Sequence, residues 1–129
     1  MLCNHNLTEI SVKLITNSQK QIYFLNLILE HLSYYIILWN FTEQGIKSLK
    51  DCLQSIEIFE SYVRRFGNYH DTFYPLGQYD AISLIEVDDE KDVRYCLLQA
   101  EKEGNVRSTT LKSMTHIEVT KLAETISSL

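Results

Sequence analysis

The sequence predicts an α+β fold, with four antiparallel strands and two crossover helices in the order βαββαβ and one further helix at the end. Three observations predict it. Ser33 to Phe41 and Tyr79 to Val87 are rich in β-branched and aromatic residues and apolar on both alternations, as central strands are. Each is followed by a segment whose apolar residues recur three and four apart, the period of a helix with one buried face. Each helical segment then meets a glycine, Gly67 or Gly104, and a more polar strand-like run.

The elements follow in order. In SYYIILWNF, Tyr35, Ile37 and Trp39 share one face and Ile36 and Leu38 the other. Thr42 offers an N-cap hydroxyl, and Ile46, Leu49, Leu53, Ile56, Phe59, Val63 and Phe66 mark one helix running to Gly67. Asn68 to Tyr74 is a polar strand that ends at Pro75, where a strand tolerates proline. Leu76-Gly77-Gln78 makes a tight connection into the third strand, Tyr79 to Val87. Asp88, Asp89 and Glu90 place negative charge at the start of the second helix, where the helix dipole favours it. Val93, Leu97 and Ala100 form its buried edge, with Cys96 beside them. Asn105 to Met114 is the fourth strand, and Ile117, Leu122, Ala123 and Ile126 mark the closing helix.

Two helices cover only one face of a four-stranded sheet, yet the first and third strands carry apolar residues on both. A second copy pairing sheet to sheet about a two-fold axis covers the other face. The chain is therefore expected to be a homodimer. The alternative cover is the N-terminal or the last helix.

Residues 1–32 read as an N-terminal extension, partly helical or poorly ordered, and residues 33–129 as the domain. Asn17 and Ser18 suit a cap for a helix through Ile22, Leu25, Leu29 and Leu32. Asn26, Glu30 and His31 interrupt the apolar run, so it is read neither as a membrane span nor as a secretory signal. Either this segment packs on the domain as an extra helix, or it is upstream sequence outside any fold.

The net charge is −5. Lys13 and Lys20 balance Glu9 and Glu30, so residues 33–129 carry all of it. An acidic domain without a basic run is not expected to bind nucleic acid, whose phosphates require clustered Lys and Arg. Cys3, Cys52 and Cys96 are odd in number and widely spaced, which predicts reduced thiols in a cytoplasmic protein rather than a disulfide framework or a zinc site. The four histidines form no pair at metal-ligand spacing, and His70 and Asp71, adjacent on one strand, are expected on opposite faces. The glycines are isolated, with no phosphate loop and no nucleophile elbow. No metal and no cofactor is expected.

Three runs carry a resemblance. Trp39-Asn40-Phe41-Thr42-Glu43-Gln44-Gly45-Ile46-Lys47 is similar to the WTEQGIK opening of the GYD family, with a small insertion after Trp39. Leu76-Gly77-Gln78-Tyr79-Asp80 resembles its LGQYD motif, and Gly104-Asn105-Val106-Arg107-Ser108-Thr109-Thr110-Leu111 its GNVRTxTL run. The resemblance implies a ferredoxin-like fold of the dimeric α+β barrel type. It implies no particular chemistry.

In the usual ferredoxin-like strand order, the fourth strand lies beside the first, then the third, then the second. The end of the first strand, the starts of the third and fourth and the start of the first helix then meet at one edge. All three motifs converge there. On a structural reading, Asp80 and Arg107 pair with each other or cap backbone groups, Gly77 supplies an unusual backbone angle, and Trp39 and Tyr79 pack. On a functional reading, Arg107 holds an anion with its fork of donors and the N–H groups at the helix start assist. Asp80 then orients the ligand or accepts a proton, and Trp39, Tyr79 and Tyr74 are walls. The candidate ligand-binding set is Trp39, Thr42, Gln44, Tyr79, Asp80, Asn105 and Arg107.

Three functions follow from these readings. The first is a dimeric small-ligand-binding or regulatory module, its partner a small ligand, an anion among the candidates, or another protein. The second is a structural or assembly protein whose motifs preserve the dimer. The third, by fold analogy alone, is a cofactor-independent enzyme resembling dimeric α+β barrel monooxygenases or isomerases.

Overall fold

A computed structural model describes residues 32–128. The extension read at residues 1–32 lies outside them, Leu32 excepted. The elements are β1 (Ser33–Phe41), α1 (Glu43–Ile46), α2 (Leu49–Phe66), β2 (Gly67–Phe73), β3 (Ala81–Val87), α3 (Glu90–Glu101), β4 (Val106–Ser113) and α4 (His116–Ser127). The sheet order is β2-β3-β1-β4 with every pairing antiparallel, the ferredoxin-like arrangement anticipated from the sequence.

The two apolar strands are central, as their double-sided composition requires. Tyr35, Ile37 and Trp39 of β1 and Ala81, Ile85 and Val87 of β3 are buried beneath α2 and α3. Cys52, Ile56, Phe59 and Val63 enter this core from α2, and Val93, Cys96, Leu97 and Ala100 from α3. The Trp39 and Phe59 rings meet edge to face, with centroids 5.0 Å apart. Indole N–H only donates, so its burial needs an acceptor. Ser83 Oγ accepts from Trp39 Nε1 at 2.9 Å and in turn bonds Thr72 Oγ1 at 2.6 Å. Tyr69 Oη joins at Thr72, so one hydroxyl chain crosses from β1 to β2.

Four details depart from the periodicity. The expected first helix is divided: α1 ends at Ile46, and the chain re-aims at Ser48 before α2 begins. The buried stripe accordingly begins at Cys52, while Ile46 and Leu49 are exposed. Gly67 does not end α2 in a left-handed turn. Its backbone is extended, at φ −179°, and a Cβ there would lie 2.1 Å from the Glu86 carbonyl oxygen. Close approach of β3 selects the glycine. Finally, a β-bulge between Tyr69 and Asp71 cancels the expected alternation. His70 bonds Glu86 and stacks on Tyr34, while Asp71 pairs with Leu84, so both residues belong to the side of the sheet away from α2 and α3.

That side carries Ile36 and Leu38 of β1, Ile82 and Leu84 of β3 and Leu111 of β4, half-buried or exposed. Helix α4 is well capped, with Thr115 and Glu118 forming a reciprocal capping box, but it buries no residue. Its apolar residues Ile117, Leu122 and Ile126 are exposed.

Candidate functional site

The three sequence motifs meet at the edge formed by the end of β1 and the starts of β3 and β4, and hydrogen bonds tie them together. Thr42 links the first motif to the third. Its N–H donates to the Asn105 carbonyl at 3.0 Å and its hydroxyl to the Gly104 carbonyl at 2.7 Å. The same hydroxyl oxygen accepts from Gly45 N at 2.9 Å, capping α1. Gln44 Nε2 donates to the Glu103 carbonyl at 2.8 Å and to Asn105 Oδ1 at 3.1 Å. Gly45 is pressed onto this junction: a Cβ would lie 2.2 Å from the Asn105 carbonyl oxygen and 2.6 Å from Cys52 Sγ. Only a residue without a side chain lets α1 approach β4 this closely.

Asp80 links the first motif to the second. Its Oδ2 accepts from Phe41 N at 2.8 Å, and its own N–H donates to the Trp39 carbonyl at 2.9 Å. Asp80 thus continues the β1–β3 ladder one residue beyond the strand. Gly77, at φ +140°, supplies the turn that delivers it.

Among the described residues Asp80 and Arg107 make no ion pair. The sheet order explains this: Asp80 flanks β1 on the β3 side and Arg107 on the β4 side, two strand spacings apart, roughly 10 Å. Of the two structural roles read from the sequence, the backbone cap is the one present.

The candidate residues then divide. Arg107, opposite Asn40 in the ladder, lines a recess of about 540 Å³ with Asn40, Phe41, Thr42, Glu43 and Thr109. Gln44 and Asn105 line a separate recess of about 430 Å³, against Asp51 and Gln54 of α2. Trp39 is wholly buried in the core and forms no wall of either. Tyr79 and Asp80 are half-buried and line neither, and Tyr74 is exposed. Asn40, Glu43 and Thr109 lie within the motif runs but outside the candidate ligand-binding set. Cross-strand register is the signal that finds Asn40, since residues opposite Arg107 on one face share its surface.

Cys52 sits behind the junction, its thiol donating to the Asn105 carbonyl at 3.6 Å. Burial, with Asp51 and Asp80 nearby, pushes this thiol above its ordinary value, which makes it a weak nucleophile. Arg107 makes no ion pair among the described residues, and Glu43 is the one carboxylate lining its recess.

A family model described as the GYD domain matches residues 35–123. The chain belongs to the GYD family. No curated protein matches it. Among solved structures, a glutamate-to-alanine mutant protein is 13% identical, with a TM-score of 0.51 over 84% of this chain and 80% of that one. MtbAldR is 18% identical with a TM-score of 0.48 over 65% of this chain, and the match spans 53% of that chain, about half its length. A dimeric ferredoxin-like protein of unknown function from Thermobifida fusca is 13% identical, with a TM-score of 0.39 over 64% of this chain and 91% of that one. At these identities the likeness is one of fold. The GYD motifs themselves are therefore best understood from their contacts: Thr42, Gln44, Gly45 and Asp80 fasten the edge, and Arg107 stands beside it without an ion pair among the described residues.

Proposed function

We propose that this GYD protein is a homodimeric module that binds a small anionic ligand at the sheet edge, with Arg107 as the anchor. The observation that carries this reading is the Arg107 recess. A guanidinium without an ion pair among the described residues lines a concave surface built by two of the three motifs. Its planar fork suits a carboxylate or phosphate group. Asn40 and Thr42 offer further polar groups around the same recess. In this reading Asp80, Thr42 and Gln44 position the recess rather than react.

The half-buried apolar residues Ile36, Leu38, Ile82 and Leu84 support a second copy packed sheet to sheet. Free buried Cys52 and Cys96 support a reducing compartment, in keeping with the cytoplasm. Among the described residues no helix is long and apolar enough to cross a membrane. The acidic net charge argues against nucleic acid as the ligand.

A purely structural role is the second reading. It is favoured by the number of motif groups whose hydrogen bonds are already made within the chain. An enzymatic role has no such support, because Asp80, its proposed base, holds a backbone N–H.

Thermal-shift measurements with phosphate, sulfate and small carboxylates separate the readings. An anion present at about 100 times its dissociation constant stabilises the folded state by about 2.7 kcal/mol. Ligand binding predicts such a shift in the wild type and its loss in Arg107→Ala. A structural role predicts no anion-dependent shift in either protein.

A further inference from the structure

Arg107 shares a sheet face with the apolar residues expected to meet a second copy. In β4, Val106 is buried in the core, and Ser108 Oγ donates to Glu101 of α3 at 3.1 Å, so both face the helices. Alternation puts Arg107, Thr109 and Leu111 on the other face. The register sets Arg107 opposite Asn40, Thr109 opposite Leu38 and Leu111 opposite Ile36. Leu38 is in turn opposite Ile82, and Ile36 opposite Leu84. Arg107 therefore stands one same-face step, roughly 7 Å along the strand, beyond the Leu38 rung.

In one copy the recess is a poor ligand site. Phe41 is the one apolar residue lining it, whereas small-molecule sites are mostly apolar and enclose most of their ligand. Arg107 is exposed, and an ion pair made in water at an exposed guanidinium contributes little. The recess lacks an apolar wall and a means of excluding water. The apolar surface that could provide them begins at Leu38, beside Thr109, which lines the recess.

A second sheet packed on Ile36, Leu38, Ile82 and Leu84 supplies both. It keeps water from the Arg107 end of the face, which strengthens a charge–charge contact made there. It also draws the guanidinium out of water, which is unfavourable unless an anion compensates it. Anion and second copy each favour the binding of the other.

We propose, resting on the homodimeric and anion-binding reading above, that the second copy completes the Arg107 site, so that anion binding and dimerisation form one linked equilibrium. A monomer keeps Arg107 but holds only part of the site. Linkage is reciprocal. If the monomer binds the anion about tenfold more weakly, with one site per copy, saturating anion lowers the dimer dissociation constant by about 100-fold.

Sedimentation velocity of the full chain over a concentration series tests this, with and without phosphate, sulfate or benzoate, beside thermal shift with the same anions. Whichever anion raises the wild-type melting temperature should tighten the dimer by about tenfold or more. Dimerisation of Arg107→Ala should not respond to it. Leu111 is 45% exposed and lies outside the recess, so Leu111→Glu should fold. It should stay monomeric and bind the anion about tenfold more weakly, with Arg107 intact. An anion that raises the wild-type melting temperature but leaves the dimer dissociation constant unchanged overturns the proposal, while the anion site itself stands. A folded, monomeric Leu111→Glu with wild-type anion affinity does the same. A wild type that binds none of the three anions, or stays monomeric at every concentration, overturns the proposed function and this inference with it.

Discussion

Asp80 and Phe41 are joined by a hydrogen bond from the Phe41 N–H to the Asp80 carboxylate, 2.8 Å long, across the end of the central strand pair. A side chain here takes the place of the next rung of the sheet. Removing it leaves a part-buried donor without an acceptor. Asp80→Ala should therefore lose about 1–3 kcal/mol in urea denaturation. Asp80→Asn, which keeps an oxygen acceptor, should lose clearly less. Equal losses in the two variants would show that charge, not the acceptor, matters.

Gly45 and Gly77 belong to neighbouring motifs but are glycine for different reasons. At Gly45 a Cβ would collide with the Asn105 carbonyl, whereas at Gly77 there is open space and only the backbone angle is unfavourable. Gly45→Ala should cost about 3 kcal/mol, because α1 must move off β4. Gly77→Ala should cost about 1 kcal/mol, the lower end of single-residue backbone strain. Denaturation midpoints of the two variants check the order.

Cys96 gives a prediction in alkali. Its thiol is pushed up to about 12, first by burial and then by Asp92. The native state therefore keeps a proton that the unfolded state releases above the ordinary thiol value of 9.0. Where the native state binds more protons, stability falls as pH rises. The decline attributable to this group should begin near that value and continue towards 12, approaching about 1.4 kcal/mol per pH unit. Cys96→Ala should show a shallower decline, measured by urea midpoints across the same range.

The sheet face opposite α2 and α3 offers a test of assembly. Leu38→Glu places a charge at the middle of β1, among Ile36, Ile82 and Leu84. Burying an unpaired carboxylate between two sheets is unfavourable, so sedimentation velocity should show the variant as a monomer where the wild type is a dimer. A wild-type monomer would contradict the pairing.

Much of this architecture is legible in the residues. The double-sided apolar pattern of β1 and β3 gives their central places, and the glycines and turn residues divide the chain nearly where the elements end. The convergence of the motifs follows from strand order, before any contact is known. The details that were not legible depend on packing across the sheet. Gly67 looks like a helix terminator, but the Glu86 carbonyl opposite it is the reason for glycine. The bulge at His70 places it with Asp71 against strict alternation. Asp80 and Arg107 suggest a charge pair by composition, and the strand between them prevents it. Trp39 is an aromatic in a family motif, yet Ser83 and Phe59 occupy it in the core. Tyr35 lies in no motif, and its hydroxyl is buried without a hydrogen-bond partner among the described residues, which only packing could reveal.

The most direct test of a dimeric ligand-binding module is native mass spectrometry of the full chain, purified gently, beside Arg107→Ala. The account predicts twice the chain mass of 15.1 kDa with a small adduct that Arg107→Ala lacks. A monomer, a dimer without any adduct, or an adduct that persists in Arg107→Ala would contradict it.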